Sequence, residues 1–346
     1  MSVKHLTPNS DHISRIINNL LNSAEPSIRF KILVNVFDED PLSLKLKKIR
    51  EEIRNSPRVK TLLSSRNTKG EIVSKRNVYD KWQGAHWIMS SLAELCYPPG
   101  DESLIPVKEQ ILNFWLDDFY FREFEAAKHT DCYKYEGVPL MQGRYRRCAS
   151  QQGNALYFLQ KLGLDDKRFD VLAERLLHWQ WDDGGWNCDK NPTATNSSFM
   201  ESLLPLRGLA LYHQLSKRRS TKNAVIRAAE IFLKRELYLG KRSGKIIHPE
   251  FINLHYPLYW HYDILGGLKV LAEAGFINDK RCSKALDLLE SKRLNGGWPA
   301  EKSYYKVSKV MEHGADYVDW GGTGKKKAND WVTADALYVL KKSGRI

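Results

Sequence analysis

No apolar run in the 346 residues approaches the ~18 needed to cross a bilayer, and mean hydropathy is −0.49. A helical membrane-spanning protein is therefore excluded. The opening stretch, MSVKHLTPNSDH, lacks the apolar core of a secretory signal. Cysteine is scarce and odd in number: the five are Cys96, Cys132, Cys148, Cys188 and Cys282, without framework spacing. That excludes a disulfide scaffold and predicts reduced thiols in a cytoplasmic protein. Cys188 beside Asp189 has no second Cys or His at ligand spacing, so no metal and no other cofactor is expected. Net charge is +13, yet no nucleic-acid-binding motif accompanies it, and no nucleic-acid partner is expected. The basic residues fall in loops, at Arg144, Arg146 and Arg147, at Lys217 to Arg219, at Lys241, Arg242 and Lys245, and at Lys325 to Lys327. They read as a solvated surface, or as a peripheral contact with an anionic ligand or membrane face.

What the chain does have is an internal repeat. LQKLGLDDKRFDVLAERLLHWQWDDGGW, Leu159 to Trp186, returns as LAEAGFINDKRCSKALDLLESKRLNGGW, Leu271 to Trp298, with no insertion between the Gly and the Trp. Each copy reads as a helix ending at Gly163 or Gly275, a polar turn, a second helix, then Gly-Gly-Trp. The first half recurs once more: NALYFLQKLG, Asn154 to Gly163, is matched by DALYVLKKSG, Asp335 to Gly344.

Helix pairs run through the chain. An amphipathic helix is predicted at 10–22, an apolar one at 27–36 and a charged one ending near Arg54. A polar loop covers 64–78. Then come 81–96 with 102–118, a long loop over 119–147, 150–162 with 167–180, 197–215 with 222–237, and 257–274 with 280–292. The helix 330–342 stands last and needs a partner, which we assign to 10–22. Because the two ends supply complementary halves, the expected fold is all-α, an (α/α)6 toroid forming one domain over 1–346. First helices lie inside, second helices outside, and the N-terminal helix closes the ring.

Gln180-Trp181-Asp182-Asp183-Gly184-Gly185-Trp186 resembles the QW motif of squalene and hopene cyclases and related terpenoid cyclases. Lys292 to Trp298 looks like a degenerate copy without the Gln. The resemblance spans the repeats of residues 80–346 and implies the toroid, which the β subunits of protein prenyltransferases share. It implies an isoprenoid-handling enzyme. The Asp-x-Asp-Asp acid of the protonating cyclases and the Asp-Asp-x-x-Asp metal motif of ionising terpene synthases are both missing here. Where prenyltransferases hold zinc, this chain has Asn196, Ser198 and His261, which supply one ligand of three.

In a toroid the first turns of the inner helices face the cavity, and polar residues there stand out because burying them unpaired is costly. Glu201, His261, Asp263 and Asp335 are the candidate catalytic residues, expected to converge on one cavity. Glu201, three residues after Ser198, reads equally as part of a capping box, and His261 as a packed core residue. His86, Gln151, Asn154, Ser198, Tyr259, Trp260, Trp331, Arg144 and Arg147 are the candidate ligand-binding residues. Helix N-termini sharing one mouth would favour anions there. The expected partner is a small-molecule or lipid-like substrate, apolar with an anionic head, in an aromatic cavity. The alternatives are a carbohydrate-active hydrolase or lyase and a non-catalytic ligand-binding toroid.

Overall fold

The computed structural model describes residues 8–346, with side chains from Asp11 onward. Helices dominate. In order they are α1 (Pro8–Leu21), α2 (Pro26–Asn35), α3 (Leu44–Arg54), α4 (Pro57–Leu62), α5 (Ala85–Glu94), α6 (Ile105–Trp115), α7 (Ala149–Lys161), α8 (Arg168–His178), α9 (Phe199–Ser216), α10 (Arg219–Leu233), α11 (Ile264–Glu273), α12 (Ser283–Ser291) and α13 (Asp330–Lys342). The expected all-α class holds. The strands among the described residues are short: β1 (Glu123–Glu125), β2 (Val138–Met141) and β3 (Arg144–Tyr145) form one small sheet, and β4 (Lys306–Val307) pairs with β5 (Ala315–Asp316). No described helix is long and apolar enough to cross a membrane.

Local chemistry sets the helix ends. Asp263 Oδ1 accepts from Gly266 N–H at 2.7 Å at the start of α11, and Asn329 Oδ1 accepts from Trp331 and Val332 N–H at 3.0 and 3.2 Å at the start of α13. Prolines open α2 and α4 within their first turns. The helices α7, α11 and α13 stop where Gly163, Gly275 and Gly344 take φ of 63°, 85° and 70°.

Packing runs from α5 to α7, α9, α11 and α13 in turn, and from α13 to α2; α10, α12 and α3 pack on α9, α11 and α2, while α6 packs on α5 and α7 and α8 on α7 and α9. The closest approach is between α7 and α9. A Cβ on Gly153 would lie 2.5 Å from Pro205 Cα, and one on Gly208 would lie 2.3 Å from Gly153 O. Glycine at both points lets the two backbones touch.

The repeat is visible as duplicated hydrogen bonds. Trp186 N–H donates to Ser202 Oγ at 3.0 Å, and its indole to Leu176 O at 2.9 Å. Trp298 does the same to Thr333 Oγ1 at 2.9 Å and Leu289 O at 2.7 Å. The carbonyls of Trp186 and Trp298 accept from the capping residues Ser198 and Asn329, both at 2.8 Å. Gln180 Nε2 bridges Gly184 O at 2.7 Å and Ala224 O at 2.9 Å, tying the turn to α10. Each Trp thus fastens a second helix to the first helix of the next pair.

Three expectations need correction. The long loop 119–147 contains the β1–β3 sheet, because Val138 and Met141 are buried and need paired backbone. The helix expected over 257–274 begins only at Ile264, since Asp263 caps it, so Tyr259, Trp260 and His261 precede the helix instead of heading it. The partner of α13 is chiefly α2: α1 packs on α2, with His12 Nε2 2.9 Å from Asn295 O. The reason is that α2 buries Ile28, Phe30, Lys31, Ile32 and Leu33 around its circumference, so it requires neighbours on several sides.

Candidate functional site

A cavity of about 80 Å³ lies among α5, α7, α9, α11 and α13. Tyr256, Tyr259 and Trp320 give it an aromatic wall, with Leu203, Leu204, Leu265 and Val270 beside them. A second, of about 260 Å³, is lined by Phe30, Lys31, Tyr157, Gln214 and Tyr338. Glu94, Arg207, Lys269 and Asp335 line both, so these charged residues are the wall between them.

That wall is an ion cluster. Lys31 Nζ lies 3.0 Å from Asp335 and 3.8 Å from Glu94; Lys269 Nζ lies 2.9 Å from Asp335 and 2.7 Å from Glu94. Arg207 reaches Glu94 at 2.5 Å and Glu273 at 2.6 Å, and stacks 3.7 Å over the Tyr157 ring. Three cations, Lys31, Arg207 and Lys269, balance three carboxylates, Glu94, Glu273 and Asp335. Burial opposes ionisation of Glu94, but Arg207, Lys269 and Lys31 outweigh it and hold its pKa well below the carboxylate range. Asp335 is lowered too, burial again being overcome by Lys269 and Lys31. Both are therefore ionised near neutrality and have no proton to donate.

Of the four expected catalytic residues, Asp263 and Asp335 line one cavity, and Glu201 and His261 lie outside it. Asp335 belongs to the ion cluster, and Asp263 lines the same cavity but is spent on structure: its Oδ2 accepts from His255 N at 2.8 Å while Oδ1 caps α11. His261 is stacked on Trp260 at 3.9 Å and Tyr304 at 3.3 Å, with Nδ1 3.3 Å from Leu258 O. Burial pushes its pKa down to about 3, so it is neutral. Glu201 lies apart from the cavity, buried, and its pKa is raised by that burial. Ser198 does cap α9, its Oγ accepting from Glu201 N at 3.4 Å. The Glu201 side chain does not return the bond; it accepts from Ser150 N at 3.1 Å.

Of the expected ligand-binding residues, Asn154 and Tyr259 line the cavity. Tyr259 donates to Asp316 at 2.5 Å and stacks on Trp82 at 3.8 Å. His86 is wholly buried; its Nδ1 accepts from the Trp115 indole at 3.1 Å and its Nε2 lies 3.1 Å from the Asn154 amide. With Nδ1 accepting, the proton of the neutral ring sits on Nε2, which faces the Asn154 side-chain amide. Trp331 stacks on Tyr256 at 5.4 Å, and Trp260 lies under Lys81 at 4.8 Å. The basic mouth expected at Arg144, Arg146 and Arg147 is not open: Arg146 and Arg147 are buried, and the guanidinium groups of Arg144, Arg146 and Arg147 lie over Trp181, Trp181 and Tyr120. Gln151 accepts from Arg147 at 3.3 Å.

Sequence reasoning missed a second constellation. Ligand atoms of Cys148, Cys188 and Glu201 all lie within 4.8 Å of one another, and Cys188 Sγ is 3.4 Å from Glu201 Oε1. Residues forty apart in sequence meet because Arg146 pairs with Asn187 in a parallel bridge and the Trp181 indole donates to Tyr145 O at 2.8 Å. No sequence spacing announces this. The positions matching prenyltransferase zinc ligands do not fit a metal: Asn196 is exposed, Ser198 caps α9 and His261 is stacked between rings.

No family model matches the chain, and no curated protein matches it. Among solved structures, the apo type II terpene cyclase MstE from Scytonema is similar at 14% identity, covering 86% of this chain and 99% of that one, with a TM-score of 0.29.

Proposed function

We propose that α2, α5, α7, α9, α11 and α13 form the inner ring of an (α/α)6 toroid, and that its axial cavity binds an apolar ligand with a compact anionic head. One observation carries this reading: an aromatic wall of Tyr256, Tyr259 and Trp320 shares a cavity with Arg207 and Lys269. Apolar surface holds the body, and Arg207 and Lys269 receive the head in competition with Glu94 and Asp335, their partners in the same wall. At about 80 Å³ the space takes the head and the first carbons of an isoprenoid. Glu94 and Asp335 serve this site as counter-ions, not as acids.

The test uses farnesyl diphosphate, farnesol and inorganic diphosphate as probes, with binding read by calorimetry. Farnesyl diphosphate should bind, and at least about tenfold more tightly than either fragment, since head and body are both recognised. Leu204→Trp, which fills the cavity from α9 without removing a charge, should abolish the heat. Equal binding by this variant, or no binding of any probe, overturns the reading.

A further inference from the structure

We propose that Cys148, Cys188 and Glu201 form a zinc site with one open coordination position. The site lies outside the cavity assigned above, since none of the three residues lines it. It also differs from the set that the prenyltransferase resemblance implies, because Asn196, Ser198 and His261 take no part.

The geometry is close to what the ion needs. With Zn–S near 2.3 Å and Zn–O near 2.0 Å, a tetrahedral site spaces its ligand atoms about 3.5–3.8 Å apart. Cys188 Sγ and Glu201 Oε1 are 3.4 Å apart, and all three ligand atoms fall within 4.8 Å. The carboxylate is already oriented: Ser150 N–H holds Oε2 at 3.1 Å, leaving Oε1 toward the sulfur, the kind of supporting bond that fixes metal ligands. Two thiolates select a borderline or soft cation over magnesium or calcium.

Charge balances as well. On binding, the two thiols release two protons to solvent, so two thiolates, one carboxylate and Zn²⁺ sum to −1. Arg147, buried against the cluster with its Nε unpartnered, supplies the compensating charge. Three protein ligands and one free position are the arrangement of a reactive zinc site.

The internal repeat gives an independent control. Cys188 stands two residues after Trp186, and Glu201 three after the capping Ser198. The same offsets in the second copy, from Trp298 and Asn329, land on Ala300 and Val332, both buried. The fold is satisfied there by apolar residues, so it does not require a thiol and a carboxylate at these places.

The experiment is titration of Co²⁺ into reduced, chelator-treated protein. A thiolate-to-cobalt charge-transfer band should saturate at about one equivalent, and Zn²⁺ should displace it. Cys148→Ser and Cys188→Ser should each lower the band by about half, one thiolate of two, and Glu201→Gln should weaken binding at least about tenfold. Cys96→Ala should change nothing. Two results overturn the proposal: no band with the reduced parent, or a band that survives in the Cys148→Ser/Cys188→Ser double variant. The first needs no variant to fold. Should the isolated protein instead carry a Cys148–Cys188 disulfide and, once reduced, take up no cobalt, the pair is a redox couple and the zinc assignment is wrong.

Discussion

His86 is a histidine that the fold keeps neutral. It is wholly buried between the Trp115 indole and the Asn154 amide, and burial pushes its pKa from 6.5 down to about 3. The unfolded chain takes up a proton below 6.5 while the native state refuses one, so stability is fully present above 6.5 and is lost as pH falls toward 3. The slope is about 1.4 kcal/mol per pH unit, giving a loss of about 2 kcal/mol between pH 6.5 and 5. Urea denaturation at the two pH values should show this, and His86→Asn should flatten the pH dependence by that amount. An identical slope in the variant would mean the ring is charged in the fold. From sequence His86 was selected as polar on an apolar helix, which was legible. That its two partners are Trp115 and Asn154 was not, because both come from other helices.

At the scale of the element, the Gly-Gly-Trp turns act as fasteners. The N–H of each Trp lies in the interior and has a hydroxyl as partner, Ser202 in one copy and Thr333 in the other. Thr333→Val keeps the shape and removes that acceptor, and should cost about 1–3 kcal/mol. A thermal melt unchanged from the parent would show that water replaces the hydroxyl. Gly153→Ala tests the α7–α9 contact, because its Cβ would sit 2.5 Å from the Pro205 backbone. The helices would have to part, at about 1–3 kcal/mol, whereas helix propensity alone predicts a gain of up to about 1 kcal/mol. The sign of the change decides between them. The repeat, the helix pairs and the Gly stops were all readable from periodicity. The late start of α11 was not, since His255 to Tyr262 are as apolar and aromatic as a helix face, and only the Asp263 cap marks the boundary. The Cys148–Cys188–Glu201 cluster was equally hidden, because its members join through strand pairing and a capping turn, with no fixed spacing along the chain.

For the whole molecule the decisive element is α2. Its apolar character was clear in the sequence, but the role of Lys31, the buried one of its two cations, was not. Lys31 joins Asp335 of α13 and Glu94 of α5, and with Lys269, Arg207 and Glu273 it makes one partly buried, charge-balanced cluster joining α2, α5, α9, α11 and α13. Such clusters contribute less to net stability than to fixing which elements meet. Here it brings the N-terminal part of the chain against its last helix, and the proposed ring depends on that meeting. The measurement that tests it most directly is a double-mutant cycle on Lys31→Met and Asp335→Asn, followed by urea denaturation. Each single change should cost about 3–5 kcal/mol by stranding a buried charge, and the double variant should be more stable than their sum by about 1–3 kcal/mol. Losses that simply add, within about 0.5 kcal/mol, would mean that α2 and α13 do not meet through this pair, and the closed ring would fall with it.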